Sequence, residues 1–429
     1  VGDIAAQAAL DEGLFRAYSR PSALLLEDFM RHPVLRFGLF TLFAIFLYAC
    51  SLPAQSRGNL FPDTTENIHL EMVFNYSVTD PNTEAGVVDM VWGSSYTQPQ
   101  SVYNTYYIPY SVDNYFHSLK WYRANHPDWL EYQCDRKTLA SEFGAKRLAP
   151  FDVTNPDVRA YQWSNWVDAP LTSGYDGIVV DTLTLTNDWK RCGHYNTSGK
   201  WVQQYSGKPY DARFRRDALA WEAATYAHVH QLSPTATMQV NYAYQFNEPA
   251  ADNLTMMTTT DLLFDERGFT DWGASGQNYS PPAQWTKISD VLSKVQSKSI
   301  CYMTNGEEPE LTDLISQAER LWVIANYLLV KNNCTYMYMS GFAADGSQDY
   351  GRLITFPEYS IQIGHAVGER EKQQGVWVRE FSAGWTMVNP YNRTATVKVP
   401  AGQWVDVNGV LAGPTVTMSP QTGIVLLAQ

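Results

Sequence analysis

Short apolar runs recur along the chain, at 68–75, 87–92, 105–110, 175–181, 237–241, 261–266, 299–305 and 335–340, each set off by turn residues or a helix-like stretch. A buried parallel strand reads this way, as a brief β-branched run bounded by turn signals, because both of its faces are covered. The clearest is Tyr175-Asp176-Gly177-Ile178-Val179-Val180-Asp181. Alternation places Gly177, Val179 and Asp181 on one face and Ile178 and Val180 on the other. Helical patterns fill 155–171, 213–231 and 311–330, the first opened by Thr154 or Asn155 with Pro156 in the first turn. Eight runs, the later ones separated by helices, predict an α/β fold, a (β/α)8 TIM barrel over 66–364, rather than a sandwich. From 365 to 429 the texture shifts to short alternating runs broken by Gly, Pro and Asn, which predicts a small C-terminal antiparallel β domain.

The N-terminal region reads differently. From Met30 a basic stretch precedes the apolar run 37–49 and Cys50, the layout of a secretory signal. That run, of about 13 residues, falls short of the roughly 20 that span a bilayer. Leu47-Tyr48-Ala49-Cys50 resembles the bacterial lipobox, with Tyr48 departing from its usual small or aliphatic residue, and implies lipidation at Cys50. The expected organisation is upstream translation over 1–29, a lipoprotein-type signal over 30–49, a linker over 50–65, then the barrel and the β domain. Export to the bacterial cell envelope follows, with a lipid anchor and Ser51 compatible with the outer membrane.

Composition narrows the ligand. A net charge of -13 and the lack of a basic cluster argue against nucleic acid. Aromatics make up 14% of the chain, with 14 Trp and 27 Tyr, and their flat apolar faces with polar edges suit a sugar ring. With Cys50 set aside, Cys134, Cys192, Cys301 and Cys334 allow three pairings. Cys134 and Cys192 both fall in βα loops and are the expected bridge, while Cys301 reads as a small buried hydrophobe. No cysteine has metal-ligand spacing, and neither metal nor cofactor is expected.

Barrel enzymes carry their chemistry where strands end and βα loops begin. Asp181 ends the fourth run and Glu266 the sixth, so the fold puts both at one rim. Asp265 competes with Glu266, since adjacent residues face opposite ways. Glu266, last in its run and ahead of the Gly268 turn, is preferred. Glycosidic cleavage needs such a pair, one carboxyl to protonate the leaving oxygen and one to attack or support the cationic centre. Asn75, Trp92, Tyr107, Asp152, Asn241, Arg267 and Asn305, at or near other strand ends, are candidate substrate contacts, as is His194 from the long insertion 183–210.

The span 68–427 resembles glycoside hydrolase-like (β/α)8 families of bacteria. The matching pieces are His126-Pro127-Asp128-Trp129, Asp152-Val153-Thr154-Asn155-Pro156-Asp157-Val158-Arg159, the strand ending at Asp181, Phe264-Asp265-Glu266-Arg267-Gly268-Phe269, and Val378-Arg379-Glu380-Phe381 through Val388-Asn389-Pro390. Acids on strands four and six are similar in placement to the endo-α-polygalactosaminidase family and the α-galactosidase clan. Because that clan uses Asp at the second position, Glu266 fits the polygalactosaminidase-like group better. The resemblance implies Asp181 as nucleophile, Glu266 as acid/base, an α-linked oligosaccharide or polysaccharide as substrate, and retention of configuration. The competing expectation is a carbohydrate-binding lipoprotein that has kept the barrel and lost the activity.

Overall fold

The computed structural model describes residues 60–76, 78, 83–96, 102–113, 116–142, 148–270 and 279–429. The expected leader, and Cys50 with it, lie outside the described residues. Eight strands form one sheet in chain order: β1 Glu71–Val73, β2 Met90–Trp92, β3 Tyr103–Pro109, β4 Gly177–Asp181, β5 Thr237–Asn241, β6 Leu262–Asp265, β7 Cys301–Leu311 and β8 Thr335–Phe342. Every neighbouring pair is parallel. Leu70, just ahead of β1, bridges in parallel to Met337 of β8, so the sheet curls onto its first strand. This is the expected TIM barrel, with helices α1 Pro156–Gln162, α2 Ala212–Leu232, α3 Ala250–Met256, α4 Pro282–Ser297 and α5 Gln317–Val330 between its later strands.

Register carries the functional face around the barrel. Val179 of β4 pairs with Gln239 of β5, Gln239 with Leu262 of β6, and Asn241 with Phe264. Residues two apart share a face, so Asp181, Asn241 and Glu266 continue one set of side chains at the ends of three adjacent strands. Gly177 is needed for close approach: a Cβ there would stand 2.5 Å from the Thr237 carbonyl oxygen. The first helix begins where expected, with the Asn155 side chain accepting from Asp157 N and Pro156 following it.

Four expectations are corrected. β7 extends to Leu311, well beyond residue 305, because Glu307 still pairs with Ser340 and, past a bulge, Leu311 with Phe342. The glutamate-rich composition of 307–310 hid an extended strand. α5 consequently starts at Gln317 rather than 311, under a capping box of Ser316 and Glu319. Cys301 is not a lone hydrophobe, since it is bonded to Cys334 across neighbouring parallel strands, while Cys134 bonds Cys192 as expected. The segment 60–65, expected as linker, packs against the barrel: Thr64 N donates to the Asn333 carbonyl at 2.9 Å and the Tyr336 hydroxyl to Pro62 O at 2.6 Å.

The insertion is ordered by a buried cation. Its strands Gly193–Tyr195 and Trp201–Gln203 join Glu131–Tyr132 in an antiparallel sheet. Beside them Arg191, 2% exposed, pairs with Glu131 at 2.5 Å and Glu142 at 3.3 Å and donates to Ser111 Oγ and the Phe151 carbonyl. A desolvated guanidinium is tolerable only with partners of this kind.

The C-terminal antiparallel sheet takes Glu371–Gln373, Val376–Phe381, Gly384–Asn389, Thr422–Ala428 and Trp404–Asp406 in that spatial order. It docks on α5: Thr386 Oγ1 donates to Ala325 O, and Arg379 Nη1 to the carbonyls of Leu328 and Lys331.

Replacing Cys301 and Cys334 together by Ser should lower stability by about 2–4 kcal/mol, because the bridge restricts the unfolded chain. Urea unfolding of the oxidised parent and the double variant checks this, and coincident midpoints would contradict it.

Candidate active site

Asn241 stands between the two acids. Its Nδ2 donates to Asp181 Oδ1 at 2.9 Å and to Glu266 Oε2 at 2.7 Å, which spends both amide hydrogens. The two accepting oxygens are therefore no farther apart than those bonds laid end to end. Asp181 Oδ2 accepts from the Tyr107 hydroxyl at 2.9 Å. Glu266 Oε1 lies 3.0 Å from the Tyr350 hydroxyl, which also contacts Glu307 Oε1 and accepts from Asn305 Nδ2 at 3.3 Å. Asp265 faces the other way, as strand alternation requires, and accepts from Gly268 N at 3.2 Å in the turn after β6. That turn needs glycine. Gly268 has φ 52°, and a Cβ on it would sit 2.0 Å from the Asn305 carbonyl oxygen.

Aromatic rings wall the site from below. Trp92 lies edge-on to Phe74, Tyr107 and Phe264 at centroid distances of 5.5, 5.7 and 5.2 Å, and Phe74 reaches Tyr350 at 6.3 Å. Two non-glycine residues here hold left-handed backbone, Phe74 at φ 58° and Thr182, directly after Asp181, at φ 59°. Strain of this kind persists where the surroundings over-determine it, as at a site.

The surroundings separate the acids. Burial pushes Asp181 above the ordinary carboxylate value, opposed by hydrogen bonds from Thr182 N, Asn241 and Tyr107. Those donors favour its charge, and burial outweighs them. Burial, and then the charge of Asp181, push Glu266 up to about 7, the direction expected of a group that keeps its proton.

The other candidates divide. Tyr107, Asn241 and Asn305 belong to the network around the carboxyls. Asn75 does not, because its amide is spent on Ser94 Oγ and Ser95 N. Trp92 is 2% exposed and supports the site from beneath, packed among the rings of Phe74, Tyr107 and Phe264. Asp152 and His194 pair with each other at 3.0 Å, and Asp152 also takes Gln204 Nε2, so both serve to hold the insertion. Arg267 donates to the Tyr244 carbonyl and lies over Phe246, tying the loop after β5 to the turn after β6. Glu307 and Tyr350 were missed. Glu307 shares the Asn305 face two residues on, a signal readable once the strand is extended past Gly306; Tyr350 sits in a loop with no pattern to announce it. Among the described residues Glu308, Glu310 and Glu319 bring carboxylate oxygens within 4.8 Å of one another. Glu319 is already engaged as the α5 cap, and no metal is assigned to them.

Residues 96–385 match the model of the family described as hypothetical glycosyl hydrolase family 15. The chain belongs to that family. This glycoside hydrolase is similar in fold to Amy13B of Eubacterium rectale, at 11% identity and TM-score 0.50, over 88% of this chain and 99% of that one. An α-amylase from Lactobacillus plantarum gives 9% and 0.50 over 87% and 99%. The glycoside hydrolase domain of PelA from Pseudomonas aeruginosa gives 13% and 0.41 over 63% and 94%. Among curated proteins none matches.

In Asn241→Leu the glycoside hydrolase loses the donor common to both acids. Glu266 is then expected to ionise above its present value of about 7, because that donor favours the charged form. Infrared titration of the carboxyl bands would read the change, and ionisation at lower pH would contradict it.

Proposed function

We propose that this glycoside hydrolase cleaves an α-linked glycan with retention of configuration, Asp181 attacking the sugar and Glu266 serving as acid and then base. The observation that carries the reading is the single Asn241 amide bonded to both carboxyls. It keeps their facing oxygens within two hydrogen bonds of each other, which supports the closer spacing of a retaining pair over the wider one that leaves room for a water. The α linkage is supported by the resemblance of the acid placement on the fourth and sixth strands to the polygalactosaminidase-like group.

In the first step Asp181 attacks the anomeric carbon as Glu266 gives its proton to the departing oxygen. In the second, Glu266 takes a proton from water, and that water's oxygen displaces Asp181 from the sugar. Asp181 must therefore be ionised when Glu266 is protonated. The pH profile should be bell-shaped: activity is lost at low pH as Asp181 takes a proton, and lost again as pH rises through about 7, where Glu266 gives one up.

Asp181→Asn should abolish release of reducing ends across a panel of α-glycans. Glu266→Gln should slow the natural glycan by about 10²–10⁴-fold. An aryl glycoside with a good leaving group should suffer far less in the first step, since it needs no proton. Equal losses on both substrates would remove Glu266 from the acid role.

The proposed setting is the bacterial cell envelope, reached by export and held by a lipid at Cys50. The signal-like pattern of 30–50 supports it, as do two disulfides, which persist outside the cytoplasm. The native protein should begin at an acylated Cys50 by intact mass and partition into detergent, while Cys50→Ala should stay in the aqueous phase. A native mass that retains residues 1–49 would refute this.

A further inference from the structure

The Tyr350 hydroxyl has three partners and can satisfy them in only a few ways. It carries one hydrogen and two lone pairs. Asn305 Nδ2 is purely a donor and takes one lone pair. One hydrogen and one lone pair remain for Glu266 Oε1 and Glu307 Oε1. One carboxyl can accept the phenolic hydrogen, and the other can bond to the remaining lone pair only by donating a proton of its own. Two ionised carboxylates would leave one of them facing an oxygen lone pair.

The surroundings decide which carboxyl keeps the last proton. Once ionised, Glu266 has a second donor in Asn241 at 2.7 Å. Glu307 is 7% exposed, and among the described residues its carboxylate has Tyr350 as its only hydrogen-bond partner and no basic side chain in an ion pair. Among the described residues the titratable groups that act on it are Tyr350, from the loop after β8, and Glu266, from the end of β6. Ser340, beside it on β8, is neutral.

We infer that Glu307 is a positioning residue held as a neutral carboxylic acid, whose proton goes to the Tyr350 oxygen and so keeps the Tyr350 O–H aimed at Glu266. The inference rests on the role proposed for Glu266. When Glu266 gives its proton to the departing oxygen, a directed donor is already in place for the charge left behind, and no proton need move between Glu307 and Glu266. An ionised Glu307 would instead draw the phenolic hydrogen to itself and make the acid harder to ionise. Burial, with the charge of Glu266, holds the Glu307 carboxyl well above the ordinary carboxylate range, in agreement with this order of ionisation.

Two measurements test it. At pH 8 the infrared difference between the parent enzyme and Glu307→Gln should show the loss of a protonated carboxyl band, and loss of a carboxylate band would overturn the inference. This needs no turnover, so it stands apart from the proposed reaction, which fails separately if the parent cleaves no glycan. The pH profile of Tyr350→Phe gives the second reading. If Tyr350 donates to Glu266, its removal raises the alkaline limb by about one pH unit, the worth of one hydrogen bond to a charged group. If Glu266 donates to Tyr350 while Glu307 is ionised, the limb falls, and the inference is wrong. A role confined to packing would leave the limb in place, which equally defeats it.

Discussion

Two half-buried carboxyls set side by side at the mouth of the barrel are the constraint around which this structure is arranged. Like charges in a low-dielectric site cannot both ionise freely, so the protein has to supply donors to one and withhold enough from the other to divide a proton between them. Asn241 is the hinge of that division, because its amide serves both acids. Around it, Tyr107 and the Thr182 N–H serve Asp181, and Tyr350 serves Glu266. The result is a pair able to hold one charge and one proton at the same pH, which glycosidic cleavage requires.

Nothing in this arrangement is local in sequence. It is produced by adjacency of β4, β5 and β6 and by a register that sets Val179 against Gln239 and Asn241 against Phe264. A slip of one residue in β5 would turn Asn241 out of the barrel and leave the carboxyls without their common donor. The close packing of Gly177 on Thr237 and of Gly268 on Asn305 therefore bears on the chemistry as well as on the fold, since each brings a site-bearing strand or turn to its neighbour at a distance no larger residue permits.

Much of this was legible in the chain. Apolar runs with helices between them announced the barrel, and carboxylates ending two of those runs marked the candidate site, because a parallel strand buried on both faces has a distinctive composition and its end has a defined place. Alternation required that only one of Asp265 and Glu266 face the site, and the choice of Glu266 rested on its place at the end of its run, ahead of the Gly268 turn. What was hidden had physical causes. The second half of β7 is rich in glutamate and so did not look like a strand, which concealed Glu307. Tyr350 lies in a loop, where no periodicity assigns direction. Asn75, Asp152 and His194 have chemistry suited to a substrate, but their hydrogen bonds are spent on the protein itself, and partners of that kind are visible only in three dimensions. The Cys301–Cys334 bridge depends on strand register, which the cysteine spacing does not report.

The central claim is that Asp181 forms a bond to the sugar while Glu266 handles the proton. Trapping the intermediate with a slow, activated fluorinated glycoside and locating the label by peptide mass spectrometry tests this most directly. The account predicts one sugar per chain, attached at Asp181, accumulating faster than it is released. A label on Glu266 would reverse the assignment of roles, and turnover with no label and with inverted product configuration would contradict the covalent mechanism itself.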